Sequence, residues 1–408
     1  YNDVLEVTMN GVDYYLYIWY NCIRRIRVDE MPSSSNNVVG DAFIGGTSCT
    51  TYGTVTSGQG VVMSSFADRF SYPWKLEKSF DGSKIYVLSQ GYQSASWNNA
   101  LRAMTVHEID LSTSSISLIL TMDQTKANMG GGFNQWFDTT IYRRLGVDYM
   151  IITAAERPCM YSLNLQTYEY LPMDECAQTT TSGQNTKTPD GGGTMGARHT
   201  TAVTADNIND RIFVMACPSS GYYNYGCQIQ LVSWSTDGTS TFTAFLKSSD
   251  SANQNQNNLI WQSGNLVFAP KRNKLYWSSR YYTYSSANSY GHLYYDSQSY
   301  YGYIKKLDLS ACSSLTDCTN VAIANVNAHT TPISYVYLYD SASWGPNNPS
   351  GQMSGAHVQT LVKNLKLSDD ETVLFVPNRH SGSVYEAYAS ALGPFSYSEP
   401  GCPACPEH

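Results

Sequence analysis

Charged residues are scarce in this chain, and their scarcity narrows the range of partners. Asp, Glu, Lys and Arg make up only 14% of the 408 residues, against about a quarter in an ordinary soluble domain. The net charge is −8 and no basic run occurs, which argues against nucleic acid or an anionic membrane surface as the partner. No apolar run approaches the length of a membrane span, so none is predicted.

Several motifs of catalysis and modification are also missing. The chain contains no Gly-x-Ser-x-Gly sequence, the turn that presents a hydrolase nucleophile. The only Asn-x-Ser/Thr sequence is Asn348-Pro349-Ser350, which its proline blocks for N-glycosylation. Any glycans would therefore sit on other residues, such as the serine and threonine clusters. Long 3.6-residue apolar periodicity is absent as well, which predicts little helix.

What the chain does contain is a repeated phrase of two short apolar strands joined by a turn. Its clearest copy is Asp13–Asp29, where an aromatic strand turns at Asn21 and continues as alternating Ile, Val and Arg. Each copy is preceded by one short apolar run, and most are followed by another, which makes about four strands per unit. The copies begin near residues 13, 81, 147, 209, 272 and 370.

Units of this size cannot bury both faces of their own sheet, so they have to pack on one another around an axis. The pattern predicts an all-β, six-bladed β-propeller with four-stranded antiparallel blades, over residues 1–398. The alternative, a β-sandwich with a second domain, would not require six copies of one phrase. The predicted blades run over 4–44, 72–122, 129–171, 198–247, 259–325 and 357–397.

The first two units resemble the NHL repeat. Asp13–Asp29 is similar to that family's acidic residue, apolar strand, Asn-rich turn and Arg-rich strand, and Phe66–Trp74 is similar to the start of its innermost strand. The other four units keep the apolar pattern without the Arg and Asp signature. The resemblance implies a propeller architecture, and because this scaffold carries binders, enzymes and structural modules alike, it implies no function.

Ten cysteines indicate the redox environment. Eight form four near neighbours within single blades, and local, even-numbered cysteines favour disulfides and an extracellular or cell-surface location. Scattered buried thiols are the alternative, and zinc binding is less favoured because no Cys-x-x-Cys is matched by a second pair. The predicted disulfide residues are Cys22 with Cys49, Cys159 with Cys176, Cys217 with Cys227, and Cys312 with Cys318, together with Cys402 and Cys405 near the end.

Two insertions are rich in tyrosine, of which the chain has 33 in all. They are Tyr281–Tyr303 and Thr330–Met353, and both are predicted as loops. Because tyrosine is enriched at protein interfaces, they are candidate contact surfaces toward another copy, another extracellular protein or a glycan; folding back on their own blade is the alternative. The candidate interface residues are Tyr281, Tyr282, Tyr284, Tyr290, Tyr294, Tyr295, Tyr300, Tyr301, Tyr303, Tyr335, Tyr337, Tyr339 and Trp344.

The last ten residues, 399–408, form a Cys-x-x-Cys tail that is similar to the opening of a small Cys-rich module of the EGF or ephrin-receptor type. A propeller head followed by a Cys-rich stalk resembles surface and fibre proteins of protists, such as the mastigoneme subunits of flagellar hairs. That resemblance implies a structural role in an assembly.

Candidate metal ligands are few. His199 and His357 stand at the predicted starts of innermost strands in the fourth and sixth units. Some six-bladed lyases hold zinc with three histidines placed this way, and Asp68 or Asp138 could add a ligand here. Histidines that merely line a polar channel are the alternative. No cofactor is required by this pattern, although zinc or calcium could occupy a central channel.

Three functions follow from these features. The first is an extracellular structural or adhesive module that assembles into an array or filament, which would not be an enzyme. The second is a metal-dependent propeller enzyme, lyase or lactonase-like, that uses the channel histidines. The third is a head that binds a glycan or a peptide.

Overall fold

The fold is taken from a computed structural model of the chain. The residues that it describes are 3–19, 22–30, 41–44, 70, 73–89, 104–122, 136–154, 159–173, 198–218, 228–234, 240–247, 266–282, 299–311, 333–338, 361–362, 364–371, 374–375 and 378–379. Among them, the only helical elements are two 3-10 turns, Val28–Glu30 and Leu309–Ala311. All other regular structure in these residues is β-strand, as the sequence predicted.

Twenty strands form five antiparallel four-stranded sheets, each built from strands that follow one another in the chain. Blade one holds β1 (Val4–Met9), β2 (Val12–Trp19), β3 (Cys22–Arg27) and β4 (Asp41–Ile44), and blade two holds β5 (Pro73–Lys78), β6 (Lys84–Ser89), β7 (Met104–Asp110) and β8 (Ile116–Met122). Blade three holds β9 (Trp136–Arg144), β10 (Val147–Ala154), β11 (Cys159–Asn164) and β12 (Tyr170–Pro172). Blade four holds β13 (Arg198–Asp206), β14 (Arg211–Pro218), β15 (Gln228–Trp234) and β16 (Ser240–Lys247), and blade five holds β17 (Leu266–Ala269), β18 (Lys274–Tyr282), β19 (Ser299–Asp308) and β20 (Ile333–Leu338).

The position after blade five is occupied by a hairpin of two short strand pairs. In it, β21 (Leu361–Val362) pairs with β24 (Asn378–Arg379), and β22 (Lys366–Leu367) pairs with β23 (Leu374–Phe375). The described residues therefore hold five four-stranded blades, where the sequence predicted six. Residues 361–379, which we call the closing hairpin, pair as two antiparallel segments, and the rest of the predicted sixth unit lies outside the described residues.

The blades follow one another around a common axis, and the first strand of each blade lies nearest to that axis. Contacts run from β1 to β5, β9, β13 and β17 in turn, and then to β22 of the closing hairpin. The hairpin in turn meets blade one, because the Asp369 amide donates to Glu6 Oε2 at 3.2 Å. The contacts form a closed cycle, which is the arrangement of a β-propeller.

Apolar side chains fill the space between successive blades, which explains why the alternating strands fold in this way. Leu16 and Ile18 of blade one pack with Leu76 and Val87 of blade two in one fully buried cluster. Equivalent clusters join blades two and three and blades three and four. Burial on both faces of each small sheet is possible only because a neighbouring blade covers it.

The blade ends are fixed by local hydrogen bonds. Where the third strand ends, Asp110, Asn164 and Asp308 each accept a hydrogen bond from the backbone two residues on. The intervening leucine, for example Leu111, donates its amide back to the turn between the first and second strands. Such side-chain turns stop a strand without leaving backbone groups unpaired.

One boundary prediction is wrong. Ile333–Leu338, assigned from sequence to an insertion before the sixth unit, is the fourth strand of blade five and pairs with β19. Likewise, Tyr281–Tyr303 is not wholly a loop, because β18 extends to Tyr282 and β19 begins at Ser299. The predicted tail, 399–408, lies outside the described residues.

Candidate functional site

The most unusual site among the described residues is a group of buried charges on the first strands. Lys75 of β5 and Asp138 of β9 form an ion pair through Nζ and Oδ1, and both side chains are almost fully buried. Glu77 of β5 lies 3.9 Å from Lys75 Nζ, and Lys366 of the closing hairpin lies 3.0 Å from the Glu77 carboxylate. Asp3, fully buried, stands 4.0 Å from Lys366 Nζ. We call these five residues the axial ion cluster.

The carboxylates of this cluster also bind backbone amides of the neighbouring blade. Asp3 Oδ2 accepts from the Leu76 amide at 2.8 Å, which ties blade one to blade two. Asp138 Oδ2 accepts from the Val203 amide at 2.9 Å, which ties blade three to blade four. Each carboxylate therefore replaces part of the water that it lost on burial.

Two neutral side chains extend this pattern around the axis. Thr204 Oγ1 accepts from the Phe268 amide at 3.0 Å, between blades four and five. The Asn364 amide group donates to the Trp74 carbonyl at 3.1 Å, between the closing hairpin and blade two. Side-chain bonds to the backbone thus join most of the first strands to one another.

Burial and pairing have opposite effects on the charges. Burial raises the pKa of Asp3 to about 6 and also raises that of Asp138, although Lys75 opposes both shifts. For Lys75 itself, burial lowers the pKa, but the carboxylates of Asp138, Glu77 and Asp3 more than compensate and raise it overall. Lys75 is therefore a cation at neutral pH, held by the acidic groups around it.

A second set of contacts attaches the turn of the closing hairpin to three blades. Asp369 pairs with Lys78 Nζ of blade two at 2.6 Å. The buried Glu371 carboxylate accepts from the Lys271 and Arg272 amides of blade five at 3.0 and 3.2 Å. Together with the contact between Asp369 and Glu6, these bonds fix the hairpin between blade five and blade one.

Chemically, the axial ion cluster is suited to bracing and poorly suited to catalysis. Its carboxylates are engaged by lysines and backbone amides, which leaves little capacity for a reacting group or a metal. Among the described residues, no group of three or more His, Cys, Asp or Glu side chains could hold a metal ion. Asp138, considered from sequence as a metal ligand, lies instead against Lys75.

The described residues do not test the predicted pair of channel histidines. His199 lies in β13, where its backbone pairs with Cys217, and nothing further is defined for its side chain. His357 and Asp68 lie outside the described residues. The metal-site hypothesis therefore stays a prediction.

Among the predicted disulfide residues, Cys22 is fully buried and is disulfide-bonded. Cys159 and Cys217 lie in strands β11 and β14. The proposed pairings stay predictions, because the partners lie outside the described residues: Cys49, Cys176, Cys227, Cys312, Cys318, Cys402 and Cys405.

The tyrosine-rich segments divide into two groups. Four of the tyrosines lie in strands β18, β19 and β20 of blade five: Tyr281, Tyr301, Tyr303 and Tyr337. Tyr282, Tyr300 and Tyr335 also lie in strands, and the predicted residues outside the described ones are Tyr284, Tyr290, Tyr294, Tyr295, Tyr339 and Trp344.

The sequence reading missed Lys75, Glu77 and Lys366. The run Pro73–Lys78 alternates Lys75 and Glu77 with Trp74 and Leu76, a pattern that predicts solvent on the charged face, so the burial of these two charges had no signal in the sequence. Their connection to Lys366 could not be read, since nearly 290 residues separate them.

Comparison with known proteins identifies no family. No family model matches the chain, and no curated protein matches it. Among solved structures, TolB from Acinetobacter baumannii is similar at 11% identity with a TM-score of 0.33, over 78% of this chain and 53% of TolB. The chain thus spans about half of that protein.

Two further structures are similar to a comparable degree. The Malassezia sympodialis allergen Mala s 1 shares 10% identity over 82% of this chain and 91% of its own, with a TM-score of 0.37. The Dos1 propeller shares 8% identity over 90% of this chain and 73% of its own, with a TM-score of 0.39.

Within the described stretches, no helix has the length and apolar character needed to cross a membrane.

Proposed function

We propose that the chain is an extracellular structural or adhesive module, a ring of NHL-like units that assembles into a surface array or filament. The axial ion cluster is the observation that carries this proposal. Three carboxylates and two lysines pair with one another at the axis, and they come from blades one to three and from the closing hairpin. An axis filled in this way stiffens a ring, whereas an enzyme would need some of these groups for its substrate.

The blade count forms part of the proposal. The closing hairpin occupies a sixth position in the cycle of contacts, and its inner strand β22 meets β17 as the other first strands meet one another. We therefore interpret residues 361–379 as the inner part of a sixth blade. The disulfide-bonded Cys22 supports an oxidising, extracellular location.

Electron microscopy and sedimentation of the native material test this proposal. Ordered arrays or filaments with a propeller-sized repeat are the expected result, with other extracellular proteins or glycans as further possible components. Dispersed monomers in the native material, at all concentrations, would show that the chain is not an assembly module.

A metal-dependent channel enzyme, lyase or lactonase-like, is the second candidate. One observation favours it: His199 is the second residue of β13, the inner strand of blade four. Elemental analysis of the purified chain and of a His199→Ala/His357→Ala variant distinguishes the two functions. Stoichiometric zinc that disappears in the variant would support the enzyme, and no difference in metal content would count against it.

A binding head for a glycan or a peptide is the third candidate. An array of immobilised glycans, probed with the intact chain, provides the test. Saturable binding by a monomeric chain would favour a binding head over an assembly module.

A further inference from the structure

The exposed large apolar side chains among the described residues all lie at one end of the propeller. Phe80, Leu145 and Ile208 are 41%, 83% and 71% exposed, and they occupy the turns between the first and second strands of blades two, three and four. Tyr168 lies at the turn between the third and fourth strands of blade three, and Leu171 lies just beyond it in the short strand β12. In an up-and-down sheet both kinds of turn lie at the same end, which we call the turn face.

Leu145 stands in a backbone conformation that suits leucine badly. Its φ is 50° and that of the following Gly146 is 80°, the two-residue hairpin turn in which asparagine and glycine are preferred. Blade one builds the same turn from Asn10 and Gly11, with φ values of 52° and 75°. A strained and exposed leucine contributes nothing to its own hairpin, which points to a role in binding.

The three apolar turns form one ordered surface. The Arg143 guanidinium lies over the Phe80 ring, 4.5 Å from its centre, which joins blades two and three. The Arg143 amide donates to the Asn207 side chain at 2.7 Å, which joins blades three and four. Phe80, Leu145 and Ile208 therefore stand in a fixed arc, the apolar arc, with leucine at its centre.

Charges on the turn face are arranged around this arc. Blade one, on one side, carries Asp13, Asp29 and Glu30 beside Arg27, and is net acidic. Blade five, on the other side, carries Lys271, Arg272 and Lys274 beside Asp308, and is net basic. Around the cycle of contacts, blade three and the closing hairpin are opposite each other. Blades one and five therefore occupy mirror positions on the two sides of the line that joins blade three to the closing hairpin.

A second copy of the chain fits this distribution. When two turn faces meet about a two-fold axis along that line, Leu145 meets its own copy and Phe80 meets Ile208 of the other copy. The same rotation places acidic blade one over basic blade five, twice. Asp370 at the tip of the closing hairpin would face its own copy, which is an unfavourable contact of this arrangement.

We propose that the turn face is a two-fold docking surface for a second copy of this chain, centred on Leu145. This inference rests on the proposed assembly function and names one of its contacts. Isologous contacts of this kind are the commonest in protein oligomers.

Sedimentation velocity of the intact chain over a range of concentrations tests the apolar arc. Leu145→Asn is expected to raise the dimer Kd by about tenfold or more, because each dimer loses two buried leucines. It should also raise the thermal midpoint by roughly 1–3 °C, since asparagine suits the turn. Ser114→Gly separates the arc from the rest of the turn face: Ser114 lies on that face outside the arc with a φ of 57°, so this variant should gain stability without the tenfold loss of affinity.

Charge variants test the two-fold arrangement. Asp13→Lys and Arg272→Glu should each weaken the dimer, because like charges then meet twice. An equimolar mixture of the two should restore it, since opposite charges meet again at both places. Asp370→Asn should strengthen the dimer by removing the repulsion at the axis.

The outcomes separate this inference from the proposed function. If the wild-type chain assembles and Leu145→Asn assembles equally well, the turn face is not the docking surface, while assembly stands. If mixing the charge variants restores nothing, the two-fold arrangement is wrong. If the wild-type chain and the native material are both monomeric, both proposals fail.

Discussion

Replacing Lys75 by methionine is the sharpest test of the axial ion cluster. Methionine has nearly the same length as lysine, so the change removes the charge and preserves most of the volume. The Lys75 side chain is 5% exposed and Asp138 opposite it is 3% exposed. The loss of the Lys75 charge leaves Asp138 buried and without its cation, and we expect the free energy of unfolding to fall by about 3–5 kcal/mol.

Lys84→Met is the matched control. Lys84 forms a pair of similar geometry, 2.7 Å from Glu108, but its side chain is 36% exposed. Water already screens this pair, so its loss should change the free energy of unfolding by less than about 1 kcal/mol. Urea denaturation at pH 7, followed by tryptophan fluorescence, measures both variants against the wild type.

Two further measurements isolate the cause. The double variant Lys75→Met/Asp138→Leu removes both charges and should recover much of the lost stability. The penalty of Lys75→Met alone should shrink as the pH falls, because burial raises the pKa of Asp138 and a neutral Asp138 no longer needs a cation. If Lys75→Met destabilises the protein no more than Lys84→Met does, the cluster does not brace the ring.

Three other predictions concern single groups. Burial raises the pKa of Asp3 to about 6 from its ordinary 3.8, so Asp3 binds a proton at a higher pH in the folded state than in the unfolded state. As the pH falls from 7 to 4, this difference should add up to about 3 kcal/mol to the free energy of unfolding, and the urea midpoints of Asp3→Asn should lack that gain. Glu371→Ala removes the acceptor of two backbone amides and should lower the free energy of unfolding by about 1–3 kcal/mol, with faster protease cleavage near the closing hairpin; unchanged cleavage would contradict its anchoring role. Since the last paired residues of β14 and β15 are Ala216 and Gln228, continuation of that ladder predicts a Cys217–Cys227 disulfide, to be found by peptide mapping without reduction.

The architecture was largely readable from sequence because it repeats. In blades one to four, the four strands of each blade lie within about fifty residues, so alternation and turn residues are sufficient to recognise the blade. The bounds of blade four, 198–247, and of blade one, 4–44, agree with the strands. Blade five was misjudged because its fourth strand, Ile333–Leu338, follows a long interruption and reads as another tyrosine-rich loop.

The candidate site was not readable for the opposite reason. Lys75, Asp138 and Lys366 belong to three different repeats, and their meeting depends on how the ring closes. Nothing within one repeat shows that a charge will be buried, since a lysine in a short strand usually faces solvent.

The position of the charges suggests why they are retained at a site where burial opposes them. Apolar packing between blades is permissive, because each blade presents a similar face of valine, leucine and isoleucine to the next. Such faces alone would allow the closing hairpin to dock in more than one register. A buried cation whose acceptors come from different blades is satisfied in only one arrangement, and every other arrangement leaves it unpaired. Lys366, between Glu77 and Asp3, therefore selects the closed ring over its alternatives, and the net stability that its ion pairs add can be small.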